Sequence, residues 1–159
     1  MDQLVRFEKL KEPMEQKKHS QPPPFRCVVT GASSGIGRQI AIELSRLACE
    51  RTDAADDQCA NRMVIHCRQN QTGARETALA VESIGISAAI VQADLCKVED
   101  RKRLIDQAWE YLDFPTTWVN NAGADVLTGD KRDWGFTEKL RLLMETDVLG
   151  TIDLSRGVI

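Results

Sequence analysis

No stretch of this chain approaches the roughly 18 consecutive apolar residues that a membrane helix needs, and its N-terminus has no apolar run long enough for a signal peptide. A cytoplasmic protein without a membrane partner is the expectation. Charge of one sign is also lacking: 21 basic side chains stand against 24 acidic ones, for a formal net charge of -3. With no global field to draw a polyanionic backbone, a nucleic-acid partner is not expected. The five cysteines, at 27, 49, 59, 67 and 96, are odd in number and include no Cys-x-x-Cys pair. They suggest neither a disulfide framework nor a zinc site, and reduced, mostly buried thiols are the simplest reading. What remains is ordinary: 159 residues, 42% hydrophobic and 28% charged, the size and texture of one globular domain.

The organisation is uneven at the start. Residues 1–24 mix charges of both signs, contain Pro13 and end in Gln21-Pro22-Pro23-Pro24, which favours extended geometry. This is read as a flexible leader, with Leu4, Phe7, Leu10 and Met14 able to form a short amphipathic turn as the alternative. From Phe25 the chain turns apolar and β-rich through Arg26-Cys27-Val28-Val29-Thr30, then breaks into Gly31-Ala32-Ser33-Ser34-Gly35-Ile36-Gly37. A buried strand entering a glycine turn accounts for both halves. Ile36, Ile40, Leu44 and Leu47 follow at spacings of four, four and three, the apolar stripe of a helix.

The same alternation recurs downstream. Met63 to Cys67 reads as a second strand, and Ala74, Ala78, Val81 and Ile84 as a helical stripe stopped by Gly85. Ala88 to Val91 is a third strand followed by a helix carrying Leu104, Ile105, Ala108 and Leu112. Thr116 to Val119 is a fourth strand, and a last helix runs from Leu140 to the end. Strands alternating with helices of this length imply an α/β fold, a doubly wound parallel sheet of about four strands over residues 25–159. Glu50 to Asp57, with Asp53, Asp56 and Asp57, lengthens one connection and reads as an exposed acidic loop.

Glycines at 31, 35 and 37 sit where a strand ends and a helix begins. The first amides of a helix lack partners and its dipole presents positive charge, so a phosphate is stabilised there. A Cβ in the turn would push such a ligand away, and Gly37 would let the helix pack closely. Ser33 and Ser34 add hydroxyl donors. A P-loop is excluded, because Arg38-Gln39 rather than a Lys-Ser/Thr pair follows Gly37.

Thr30-Gly31-Ala32-Ser33-Ser34-Gly35-Ile36-Gly37 resembles the Thr-Gly-x-x-x-Gly-x-Gly cofactor motif of short-chain dehydrogenases/reductases. Asn120-Asn121-Ala122-Gly123, after the fourth strand, is similar to that family's Asn-Asn-Ala-Gly motif, and Asp94-Leu95, after the third, to its adenine-pocket aspartate. The resemblance covers residues 25–159 and implies a Rossmann-type fold and an NAD(P)-dependent carbonyl/alcohol oxidoreductase, with a small-molecule substrate in a full-length form. Carried over, it places Gly31, Ser33, Ser34, Gly35, Ile36 and Gly37 around the pyrophosphate and ribose. It places Asp94 on the adenine amino group, Leu95 near the ring, Asn121, Ala122 and Gly123 toward the nicotinamide, and Asn120 between the central strands. The residues alone leave plainer roles open: Asp94 as a helix cap, and 120–123 as a turn.

Cofactor choice rests on the end of the second strand, His66-Cys67-Arg68-Gln69-Asn70, which offers no carboxylate for a ribose 2′-hydroxyl. Arg68 can pair bidentately with a 2′-phosphate, so NADP is favoured over NAD. Ser34, where NADP-preferring relatives often carry a basic residue, argues the other way, and Arg68 also reads as a solvated charge.

The departures from the family pattern are as informative. Its proton relay of Ser, Tyr and Lys is not identifiable: the one tyrosine, Tyr111, has Pro115 four residues on and reads as a packing residue. The sequence ends within the fourth helix at Asp153-Leu154-Ser155-Arg156-Gly157-Val158-Ile159. It is therefore expected to be truncated before the catalytic half and inactive alone. Asp147 stands where the family usually has Asn, and the expectation is that it points inward and substitutes for the Asn supporting the relay, with a missing Lys as partner. A fourth strand left as an open edge, beside an apolar helix face, predicts a homo-oligomer or an aggregating product. The competing function is a non-catalytic dinucleotide-binding or interaction module.

Overall fold

The computed structural model describes residues 23–51 and 61–159. Most of the leader and the aspartates of the acidic connection lie outside the described residues.

Strands β1 (Arg26–Val29), β2 (Arg62–Cys67), β3 (Ser87–Gln92) and β4 (Thr117–Val119) form one sheet in the order β3-β2-β1-β4. All three pairings are parallel, with Val28 opposite both Val64 and Trp118. Between them run α1 (Gly35–Arg51), α2 (Gln71–Ile84) and α3 (Val98–Leu112). After β4 come a 3₁₀ turn at Gly129–Asp133, α4 (Phe136–Leu143), a π-helical turn at Met144–Gly150 and α5 (Thr151–Gly157).

Alternation along the strands divides the core into two layers. Cys27, Val29, Met63, Ile65 and Cys67 face one way and pack with Ala41, Ala48, Ala74, Ala78 and Val81 of α1 and α2. Val28, Val64 and Val91 face the other way, against Leu104, Ala108 and Leu112 of α3 and Leu154 of α5. Each fully buried Leu on that side contributes about 1.5–3 kcal/mol relative to exposure. The expected doubly wound sheet is what forms.

Two expectations about the helices are corrected. In α1 the buried residues are Gly37, Ala41, Ser45 and Ala48, while Ile36 is 75% and Leu47 54% exposed. The middle of the predicted stripe, Ile40 and Leu44, is partly buried against the core while its ends are exposed, and small residues make the centre of the contact because the helix lies close to the sheet. The last helix is not one regular rod from Leu140: helical winding begins at Phe136 and widens to π geometry between Met144 and Gly150.

Order within the sheet decides where a ligand can sit. The chain runs from β1 outward to β2 and β3, then returns to the other side of β1 to form β4. The C-terminal ends of β1 and β4 thus diverge at a switch point, where open parallel sheets hold their ligands. Both β3 and β4 are sheet edges among the described residues. No described helix is long and apolar enough to cross a membrane, and the four described cysteines, Cys27, Cys49, Cys67 and Cys96, form no disulfide.

Candidate functional site

At that switch point a cleft of about 470 Å³ opens, lined by Gly31, Ser33, Ser34, Ile36 and Gly37 after β1, and by His66, Arg68, Gln69 and Asn70 at the end of β2. Asp94 and Leu95 line it after β3, Asn121, Ala122 and Gly123 after β4, and Asp125, Lys131 and Thr146 beyond. Every sequence-nominated cofactor residue lines this one cleft except Gly35, which stands in the turn itself.

The turn is built around its glycines. Gly31 takes a left-handed φ of +67°, and a Cβ there would lie 2.8 Å from the Ala122 Cα, closer than any side chain tolerates. Gly35 takes φ +56° with nothing within 4 Å of its Cβ position, which leaves room beside the first, unpartnered amides of α1. A Cβ on Gly37 would strike the Asn121 amide and the Gly31 carbonyl. Close approach to the turn itself and to the neighbouring Asn121 loop is what excludes a side chain at 37.

Thr30 is the hinge between the two motifs. Its hydroxyl donates to the Val119 carbonyl at 3.2 Å and accepts from the amides of Asn121 at 2.9 Å and Ala122 at 3.0 Å. Asn121 returns a bond from Nδ2 to the Thr30 carbonyl at 2.9 Å. The residue joining the central strands is therefore Asn121, whereas the sequence reading gave that role to Asn120. Asn120 is exposed on the outer edge of β4, accepting from Trp118 Nε1 at 3.0 Å and donating to Ser155 Oγ at 2.9 Å.

A second clamp comes from α2. Arg38 donates to the Ser33 carbonyl at 2.9 Å, the Gly73 carbonyl at 3.0 Å, the Thr77 hydroxyl at 3.0 Å and the Glu76 carboxylate at 2.8 Å. Its guanidinium is thus spent on holding the turn. Thr77 Oγ1 donates to the Ala32 carbonyl at 2.9 Å, and a Cβ at Gly73 would run into the Ser33 carbonyl. Asn70 caps α2 by accepting from the Gly73 amide at 2.9 Å. Arg68, in contrast, has no side-chain hydrogen bond among the described residues and faces the cleft with its charge unpaired.

On the β3 side Asp94 accepts from the Cys96 amide at 3.1 Å, so it bends its own loop, while Lys97, the residue before α3, makes no side-chain capping bond. Its backbone amide donates to Asp100 Oδ2 at 2.7 Å, and that bond, with help from Arg103 and Lys97, holds the Asp100 carboxyl below its usual range. Arg101, 4% exposed, donates to the Leu95 carbonyl at 2.6 Å and pairs with Asp153 at 2.9 Å, tying the Leu95 loop to α5.

The π-helical turn brings one further group into the cleft and sets a second beside its rim. Thr146 reaches the cleft and meets Cys96 Sγ at 3.1 Å. Asp147, nominated as the relay residue, does not line the cleft; its Oδ1 accepts from the Ala124 amide at 2.8 Å and lies beside Gly123. Its carboxylate already has a partner within the chain, so the expected lysine is not needed to satisfy that oxygen. Asp125 accepts from the Thr128 hydroxyl and from the Leu127 amide at 2.8 Å, and these bonds lower its pKa. Tyr111 lies at the opposite end of the sheet, under the Arg62 guanidinium at 5.9 Å, and desolvation raises its pKa. Packing is its role, as expected.

Sequence reasoning missed Thr30 as a hydrogen-bond hub, the Arg38 clamp, and His66, Asp125, Lys131 and Thr146 as cleft residues. Thr30 alone had a local signal, its place at the head of the glycine motif.

Known proteins agree with this architecture. The sequence profile of the family described as short chain dehydrogenase matches residues 26–159. A 3beta-hydroxysteroid dehydrogenase 1 of Eggerthella lenta is 37% identical over 105 residues, 66% of this chain and 36% of that protein. A glucose 1-dehydrogenase 2 of Bacillus subtilis is 28% identical over 125 residues, 79% of this chain and 43% of that protein. The crystal structure of an acetoin dehydrogenase from Salmonella typhimurium has the same fold, with a TM-score of 0.66 at 24% identity over 85% of this chain and 50% of that one. The chain spans less than half the length of these two curated relatives and half of the solved one. With the glycine turn, the Asp94 loop and the Asn121 loop converging on one switch-point cleft, this chain belongs to the short-chain dehydrogenase family.

Proposed function

We propose that the cleft holds a nicotinamide dinucleotide, NADP in preference to NAD, in an oxidoreductase acting on a carbonyl/alcohol pair of a small molecule. The observation that carries this reading is the convergence of the glycine turn before α1, the Asp94 loop and the Asn121 loop on one cleft at the switch point of the sheet. Amides of Gly35, Ile36 and Gly37, with the Ser33 and Ser34 hydroxyls, would bind the pyrophosphate there. Asp94 and Leu95 would receive the adenine; Asn121, Ala122 and Gly123 would receive the nicotinamide end. When bound, such a group supplies or accepts hydride. Asp147 would act through the Ala124 amide, keeping the 122–124 loop against the cleft rather than moving a proton itself.

The preference for NADP rests on Arg68, the cleft guanidinium left unpaired, beside a strand end that carries no carboxylate. Titration of the chain with NADPH and NADH, read by the coenzymes' own fluorescence, tests both parts. Tight binding of NADPH is expected, with Arg68→Ala weakening it about tenfold, or 1.4 kcal/mol, and leaving NADH unchanged. Absence of binding by either coenzyme from folded protein would sink the reading; an equal effect of Arg68→Ala on both would sink the preference.

Tyr111 at the far end of the sheet favours a second reading, a dinucleotide-binding module without turnover. Carbonyl-dependent oxidation of NADPH by the chain would exclude it. Self-association is supported by the open edge of β4 among the described residues and by exposed Phe136, Leu140, Met144 and Ile152; the sedimentation coefficient of a monomer at every concentration would exclude it.

A further inference from the structure

His66 is 1% exposed on the cluster side of β2, yet it reaches the floor of the cleft. Both ring nitrogens are engaged. Nδ1 lies 3.0 Å from the Gly31 amide, which can only donate, so Nδ1 is the acceptor and carries no proton. Nε2 lies 3.0 Å from the Ala93 carbonyl, which can only accept, so the proton sits on Nε2. The two contacts select a single neutral tautomer. The backbone carbonyl of the same residue accepts from the Ala32 amide at 3.0 Å, so His66 holds two successive amides of the glycine turn.

An apolar residue would fill this core position without the cost of burying an imidazole. What it would not do is accept the Gly31 amide or brace the turn against Ala93, the residue before Asp94. Of the groups facing the ring, the Gly31 amide after β1 favours the neutral form, whereas the Ala93 carbonyl and the Asp94 carboxylate after β3 favour protonation. Desolvation outweighs the upward pull of Ala93 and Asp94 and holds its pKa below the ordinary value. Arg68 and Lys131 line the same cleft and add no favourable partner for a protonated ring.

We propose that His66 is a positioning residue of the dinucleotide site, its Nδ1 fixing the Gly31 amide so that the turn is shaped for the pyrophosphate before the ligand arrives. The inference rests on the dinucleotide reading above. Without the bond, Gly31 would keep its space against Ala122 but lose the restraint that orients its peptide, and the turn would have to be ordered on binding.

Two substitutions separate the two ring contacts. His66→Asn keeps an acceptor near the position of Nδ1 and gives up Ala93; His66→Gln keeps a donor near Nε2 and gives up Gly31. With NADP⁺ as the probe in isothermal titration calorimetry, and urea unfolding run alongside, His66→Asn is expected to stay within about threefold of wild type. His66→Gln is expected to weaken binding at least about tenfold, or 1.4 kcal/mol, at a comparable loss of stability. Equal losses that follow stability, no loss in either, or a larger loss in His66→Asn would each overturn the proposal. Should both variants fail to fold, ¹⁵N NMR of the wild-type imidazole decides: an Nε2–H tautomer coupled to the Gly31 amide is expected, and a protonated Nδ1 would overturn it. Wild-type protein that binds no NADP⁺ defeats the dinucleotide reading itself, an outcome distinct from wild-type binding that His66→Gln leaves intact.

Discussion

At the scale of single residues, Thr30 shows how much one hydroxyl can hold. It donates once and accepts twice, joining β1 to the loop after β4 across 89 to 92 positions of sequence. Thr30→Val keeps the shape and leaves two amides without their acceptor, so urea unfolding should show a loss of about 1–3 kcal/mol. Thr30→Ser should lose much less, and equal losses would mean that the methyl group, not the hydroxyl, does the joining. Asp147 makes a narrower prediction, since only its bond to the Ala124 amide is at stake. Asp147→Asn retains an acceptor and should unfold within about 0.5 kcal/mol of wild type, while Asp147→Ala should lose about 1 kcal/mol. The reverse order would show that charge matters more than the hydrogen bond.

At the scale of elements, α1 separates hydrophobicity from burial. Ile36 and Leu47 are large, apolar and exposed, whereas Gly37, Ala41, Ser45 and Ala48 are small and buried. A helix seated this close to a sheet has no room for branched side chains at the centre of its contact face, and Ile40 and Leu44 pack only at its margin, so size as well as polarity sets which way it turns. Ala41→Leu should therefore lower stability by about 1–3 kcal/mol through overpacking, and Leu47→Ala should change it by less than about 0.5 kcal/mol. If the urea midpoints ranked the other way, the helix would be rotated from the orientation described. The π-helical turn is a comparable device: by adding width between α4 and α5 it presents Thr146 to the cleft and Asp147 to the Ala124 loop at once.

At the scale of the whole molecule, the shifted groups define a stability profile with three regions. His66 has a folded pKa below its ordinary 6.5, so the unfolded chain takes up a proton that the fold refuses. Stability should be full above 6.5 and decline as pH falls below it, a decline that His66→Asn should remove. Asp100 and Asp125 are held below their ordinary 3.8; the stability they add is present above that value and lost as pH falls further. Burial pushes the Cys27 thiol to about 12 from 9.0, so stability declines above pH 9.0 as the unfolded chain ionises and the folded one does not. Urea midpoints measured from pH 3 to pH 10 check all three signs together, and a midpoint that rose on acidification below 6.5 would contradict the buried neutral imidazole. What the sequence by itself determined was local: the alternation of strands and helices, the glycine turn at the head of α1, and the loops carrying Asp94 and Asn121, because each is a pattern within a few neighbouring residues. Only the tertiary structure decided that Asn121 rather than Asn120 joins the central strands, that Arg38 is spent on the turn while Arg68 stays unpaired, and that His66 braces Gly31. Those outcomes depend on contacts between residues tens of positions apart, where backbone geometry selects one donor and one acceptor among many of the same chemical kind, and no periodicity along the chain encodes that selection.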